Sequence, residues 1–121
     1  MPQGGIDKDE TPIEAACREL AEEAGTTKAL LLRESAVWIA YDFPEDIHPA
    51  HWKKWRGQAQ KWFALAFTGD DRDIDIAAHH DPHGPEFDAW KWARASDLLE
   101  EIVPFKRPVY EAVFSEFADL L

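Results

Sequence analysis

Glu19, Glu22 and Glu23 fall within five consecutive positions, directly after Arg18, in the stretch "PQGGIDKDETPIEAACRELAEEAG" that spans residues 2–25. On a helix the spacing i, i+3, i+4 places all three carboxylates on one face. Like charges so placed cost a few tenths of a kcal/mol, so such a face is either a solvated surface or a site with a use for a cation. The chemistry open to it is that of a hard divalent ion. Magnesium prefers carboxylate oxygens, keeps several waters, and is completed by substrate phosphates. Three carboxylates on one turn could hold more than one such ion against a polyphosphate.

The elements that must position these groups are legible nearby. Thr11 followed by Pro12 makes a helix start, with Thr as cap and Pro at the first helical position. Gly25 makes a stop, which predicts a helix over 12–24. Ile13, Cys17, Leu20 and Ala24 recur at helical spacing and predict an apolar stripe turned away from the glutamates. Cys17 on that stripe reads as core packing rather than as a nucleophile. Farther on, "ESAVWIAYDF" (34–43) and "QKWFALAFTG" (60–69) read as strands, the second buried on both faces. The segment between them is broken by Pro44, Pro49 and Gly57 and reads as a loop. A short strand is expected at 74–76 and a third alternating one at "EFDAWKWA" (86–93). Ser96 is expected to cap a short helix over 97–101. Pro104 opens a last amphipathic helix carrying Val109, Val113, Phe114 and Phe117.

A chain of 121 residues suits one domain, and a 45% hydrophobic content suits a folded one. The formal net charge of −11 argues against general affinity for nucleic acid or anionic membrane. A single cysteine, Cys17, excludes an internal disulfide and suits a reducing compartment. No apolar run approaches a membrane span. The expectation is an acidic, soluble, cytoplasmic domain. One stretch departs from the global sign. From 47 to 69 there is no acidic residue, while Lys53, Lys54, Arg56 and Lys61 are present, and a local patch of this kind attracts phosphates. Trp52 and Trp55 are interleaved with it, either as base-stacking faces or as caps on the core. His79, His80 and His83 match no common zinc spacing and read as a solvated loop.

The glutamate stretch resembles the Nudix hydrolase signature, G-x5-E-x7-R-E-U-x-E-E-x-G-U with U a bulky aliphatic residue. Gly4, Glu10, Arg18, Glu19, Leu20, Glu22, Glu23 and Gly25 stand in register, and only Thr26 departs, where an aliphatic residue is expected. "PQGGID", "RGQAQKWFALAFTG", "PEFDAWKW" and "VPFKRPVYEAVFSEF" are similar to the bacterial RNA pyrophosphohydrolases and the related dinucleoside polyphosphate hydrolases. The likeness implies an α/β (α+β) fold, a Nudix-type α/β/α sandwich with a mixed sheet, filling residues 1–121 as a single domain. Such proteins usually have two strands before "PQGG", so the resemblance also implies an incomplete domain.

It further implies Mg2+ or Mn2+ on Glu19, Glu22 and Glu23, with Glu86 as a further ligand or the general base. The bland alternative for Glu86 is a polar residue at a strand start. Arg18 and Glu10 are expected to pair and aim the carboxylates, with Gly25 ending the helix. Gly4 and Gly5 would let the backbone turn tightly beneath phosphates. Gln3, Gly4, Gly5, Gln58, Gln60 and Lys61 are the implied substrate contacts. The implied reaction is hydrolysis of a nucleoside-linked pyrophosphate bond, in a triphosphorylated RNA 5′ end or in a dinucleoside polyphosphate. A reading of another class is a truncated, non-catalytic domain that keeps the glutamate box and binds metal weakly, associates with a partner or a second copy through an exposed sheet edge, or does not fold stably.

Overall fold

The computed structural model describes residues 1–45, 56–77, 84–85 and 87–121. Its secondary structure is helical with small antiparallel sheets: α1 (Pro12–Ala24), β1 (Ala29–Glu34), β2 (Ile39–Asp42), β3 (Gly57–Gln60), β4 (Phe63–Phe67), α2 (Ala95–Glu101) and α3 (Arg107–Glu116). β1 pairs with β4 and β2 with β3. Two compact units divide the chain, Met1–Leu32 with Leu65–Trp92 and Arg33–Ala64 with Ala93–Leu121. No helix among the described residues is long and apolar enough to cross a membrane.

In the first unit α1 follows its local signals. The Thr11 hydroxyl accepts from the Glu14 amide at 3.3 Å, Pro12 opens the helix, and Gly25 ends it in the left-handed region at φ 68°. That glycine is required twice over, because a Cβ there would also collide with the Asp75 carbonyl. The Asp75 amide in turn donates to the Ala24 carbonyl at 2.8 Å. The expected burial of the helix is corrected. Cys17 is exposed, and Ile13, Leu20 and Ala24 are half-buried. The one buried residue of α1 is Ala15, about 200° round the helix from Ile13. The N-terminal loop folds over the polar side of α1, so that side is the better covered.

The remainder of this unit is held by polar locks and aromatic contacts. Thr68 donates to the Lys28 carbonyl at 2.9 Å at one end of the β1–β4 pair, and Lys28 Nζ lies 3.0 Å from Asp73 Oδ1. Thr26, the residue out of register with the signature, is buried and its hydroxyl accepts from the Lys28 amide. The expected strands at 74–76 and 86–93 are absent among the described residues. Trp92 is instead fixed by side-chain contacts, with its ring 5.6 Å from Phe67 and 5.9 Å from Trp90 and its Nε1 donating to Asp71 at 2.8 Å. Leu30, Leu31 and Leu32 of β1 are all exposed.

The second unit is built on α3. Val109, Tyr110, Val113 and Phe117 are buried together, with Ile39, Tyr41, Trp62, Ala64, Leu99, Ile102 and Phe114 packed against them. β2 and β3 are antiparallel, with Ile39 opposite Gln60 and Asp42 opposite Gly57. Each expected long strand is therefore shorter. The 34–43 run breaks at Ser35, which is 1% exposed. Its amide donates to the Trp62 carbonyl at 2.7 Å, while its hydroxyl donates to the Val37 carbonyl and accepts from the Trp62 amide, both at 3.0 Å, so the hydroxyl takes the place of the return backbone bond. The 60–69 run is likewise split at Lys61 and Trp62, and β4 is half-buried along its length rather than buried on both faces.

α2 begins at Ala95 with Arg94 at the cap, so Ser96 lies inside the first turn rather than before it. A 3-10 turn at Pro104–Lys106 precedes α3, so the helix begins three residues later than Pro104 suggests. Arg33 grips Asp119 in a two-pronged pair, both contacts at 2.6 Å, and the Glu116 carboxylate accepts from the Ala36 amide at 3.0 Å.

Candidate active site

Arg18 is the hub of the polar side of α1. Its Nε and Nη2 donate to the two oxygens of Glu10 at 2.9 and 3.0 Å, the two-pronged geometry in which Arg–carboxylate pairs are strongest. Nη2 also donates to the Gly5 carbonyl at 2.7 Å, which ties the N-terminal loop to the helix. Nη1 turns the other way, donating to Glu19 Oε1 at 2.7 Å and Glu22 Oε2 at 3.3 Å. Asp7, which the sequence reading passed over, adds a carboxylate oxygen 3.4 Å from Nε.

The loop that carries Glu10 is shaped by its own turn. The Asp7 amide donates to Glu10 Oε1 at 3.0 Å, the Glu10 amide donates to the Asp7 carbonyl at 3.1 Å, and Asp9 adopts a left-handed φ of 66°. Asp is among the few residues other than Gly that tolerate that conformation. The "DKDE" turn is the signal that would have found Asp7. Hydrogen bonds from Arg18 first, and from the Asp7 amide second, hold the Glu10 carboxyl below the usual range, while Glu10 and Glu19 raise the Arg18 guanidinium above its own.

Gly4 and Gly5 differ from the tight-turn expectation. Neither is among the residues with positive φ. A Cβ on Gly4 would collide with the Glu19 carboxylate, whereas one on Gly5 would meet nothing within 4 Å. Gly4 thus gives the Glu19 carboxylate room to lie against the loop, and Gly5 contributes its carbonyl. Gln3 uses its backbone amide, which donates to Glu23 Oε2 at 3.0 Å. Gly4, Glu10, Arg18, Glu19, Glu22, Glu23 and Gly25 therefore all belong to one loop–helix assembly within the first unit.

The three glutamates are all-oxygen donors of the kind magnesium and manganese take, so the donor chemistry fits a hard divalent ion. Their carboxylates are at present engaged by Arg18 and by the Gln3 amide. Among the described residues no three ligating side chains are gathered closely enough to hold an ion. Glu86 lies outside the described residues, as do Trp52, Lys53, Lys54, Trp55, His79, His80 and His83.

The other expected contacts lie in the second unit. Gln58 Oε1 accepts from the Tyr41 hydroxyl at 2.9 Å and from Gln60 Nε2 at 3.1 Å, and Gln60 Oε1 accepts from Trp62 Nε1 at 3.1 Å. Lys61 lies over Trp38 at 5.9 Å, with Glu34 4.0 Å from its Nζ. Arg56 pairs with Asp42 at 3.2 Å. The described cations of the basic stretch therefore meet carboxylates from other strands, which a reading confined to 47–69 does not reveal.

Comparison with known proteins bears on the whole assembly. The NUDIX domain profile matches residues 1–113. The chain is 55% identical over 119 residues to the RNA pyrophosphohydrolase of Rhodospirillum rubrum, covering 98% of this chain and 70% of that protein. It is 51% identical over 120 residues to the RNA pyrophosphohydrolase of Roseobacter denitrificans, covering 97% and 72%. To the protein of the same name from Rickettsia canadensis it is 47% identical over 122 residues, covering 100% and 73%.

Proposed function

The chain belongs to the Nudix family, and from that premise we propose that residues 1–121 form one hydrolase domain that removes pyrophosphate from triphosphorylated RNA 5′ ends. The observation that carries the reading is the Arg18-centred assembly, set beside relatives named for that activity at about half identity. Nudix hydrolases generally use divalent metal ions. Here Glu19, Glu22 and Glu23 are the proposed ligands for Mg2+ or Mn2+, with Glu86 as a further ligand or the base. The ion supplies neutralisation of charge on the phosphate oxygens.

The chain's own residues do the rest. Water forms a bond to phosphorus, the anhydride bond breaks, and pyrophosphate leaves. A carboxylate within hydrogen-bond reach takes the proton that the water loses, and Glu22, Glu23 and Glu86 are the candidates. Arg18 and Glu10 hold the helix against the loop, so that these carboxylates keep one orientation. Gln3, Gly4, Gly5, Gln58, Gln60 and Lys61 are the proposed substrate contacts. The reaction is placed in the cytoplasm, where newly made RNA ends carry triphosphates. Self-association through the edge strand bearing Leu30, Leu31 and Leu32 is part of the same proposal, because exposed apolar edges invite pairing.

The test is magnesium-dependent release of pyrophosphate from a triphosphorylated RNA, with diadenosine tetraphosphate as the competing substrate. Faster turnover of the RNA is expected. Preference for the dinucleotide would move the reading to the related hydrolases. No release from either, in a folded sample with Mg2+ and Mn2+, would favour a binding role. Light scattering on the same sample reads its state of association.

A further inference from the structure

The Arg18 guanidinium has two edges with different tasks. One is anchored, since Nε and Nη2 fork onto Glu10 and Nη2 also binds the Gly5 carbonyl at 2.7 Å. The other is Nη1, which stands between Glu19 and Glu22 at 2.7 and 3.3 Å. The anchored edge gives the guanidinium a seat that needs neither Glu19 nor Glu22. The second edge puts a positive charge on two of the three carboxylates that the proposed metal would require.

We infer that Nη1 of Arg18 is an internal counter-cation, holding Glu19 and Glu22 together while the site is free of metal and giving up at least one of them when a divalent ion binds. The inference rests on the metal reading above. Two carboxylates three residues apart on a helix repel, and a neighbouring cation offsets that repulsion. A divalent ion and a guanidinium a few ångströms apart repel in turn, so the arginine arm and the ion compete for the same oxygens. Glu10, with its side chain only 14% exposed, keeps the displaced group nearby rather than letting it swing into solvent. The arm thereby lowers the affinity of the site for its ion and keeps the carboxylates gathered for the next one.

Mn2+ binding, followed by electron paramagnetic resonance on the whole chain, tests this in the native protein and in Arg18→Gln, Arg18→Lys, Glu22→Gln and Glu23→Gln. With the competing charge removed, Arg18→Gln should bind Mn2+ about tenfold more tightly, the size expected for a unit charge facing a divalent ion in a largely solvated site. Arg18→Lys, which keeps the charge, should stay near the native affinity. In the native protein, Mg2+ should shift the Arg18 Nη1 resonance in nitrogen-15 spectra and leave Nε–H on Glu10 in place. This second measurement decides the matter if Arg18→Gln does not fold.

Equal or weaker Mn2+ binding by a folded Arg18→Gln would overturn the inference, as would an Arg18 spectrum unmoved by saturating Mg2+. Failure of the underlying reading looks different. In that case Glu22→Gln and Glu23→Gln would both bind Mn2+ like the native chain, and the inference would fall with the metal assignment.

Discussion

α1 and α3 are helices of 13 and 10 residues that are covered in opposite ways. α3 turns Val109, Tyr110 and Val113 into an apolar core completed by Phe117. α1 buries Ala15 alone, and its polar side carries the cluster of Arg18, Glu10 and Glu19, whose side chains are 27%, 14% and 14% exposed. Apolar burial is non-directional and scales with the area removed from water. An arginine fork fixes geometry, and its net stabilisation is modest where water still reaches it. The contrast teaches that a well-covered helix face need not be a core. Around α3 covering yields stability, and around α1 it yields orientation.

That division can be broken by substitution. The largest effect is expected at Glu23→Gln, which should cut metal-dependent hydrolysis by at least about a hundredfold while leaving the melting temperature unchanged. A large fall in melting temperature would mean that the polar side of α1 is structural after all. Next comes Phe117→Ala. Phe117 is 3% exposed, and its truncation should cost about 3–5 kcal/mol in urea unfolding. Mn2+ affinity, measured well below the new melting point, should not change, and a parallel loss would erase the distinction between the two regions.

Ser35→Ala is expected to cost about 1 kcal/mol, because the half-buried Trp62 amide loses its hydroxyl acceptor. A neutral result there would show that a solvent molecule replaces the hydroxyl. The smallest effect concerns Asp119. Its hydrogen bond with Arg33 lowers its carboxyl below the usual value, so the folded chain binds that proton less readily than the unfolded chain. The resulting stabilisation is present above about pH 4 and is lost as pH falls through the lowered value. Asp119→Asn should flatten the acid limb of a stability-against-pH curve, slightly, and an unchanged limb would assign no stabilising role to this clamp.

What was legible in the sequence follows the range of the interactions involved. α1 was readable end to end because Thr11, Pro12 and Gly25 act within a turn of themselves. The Glu10–Arg18 register could be read as spacing. The breaks at Ser35 and at Lys61–Trp62 were not readable, because each depends on hydrogen bonds between residues 27 apart in the chain. β1 went unread in "ALLLRE", where side chains exposed on successive positions leave no alternation to detect. The exposure of Cys17 is hidden from the sequence for a similar reason. Its spacing shows which residues share a stripe, but not which side of the helix the preceding loop will cover.

The fixed ends of α1 carry a further consequence, for insertions and deletions. One residue added between Thr11 and Arg18 would turn everything beyond it by about 100°. The guanidinium fork would then face away from Glu10, and Gly25 would leave its tight place against Asp75. Single exchanges at exposed positions such as Glu14 or Cys17 disturb neither relation. A library of variants should therefore tolerate many spellings of this helix and almost no change in its length.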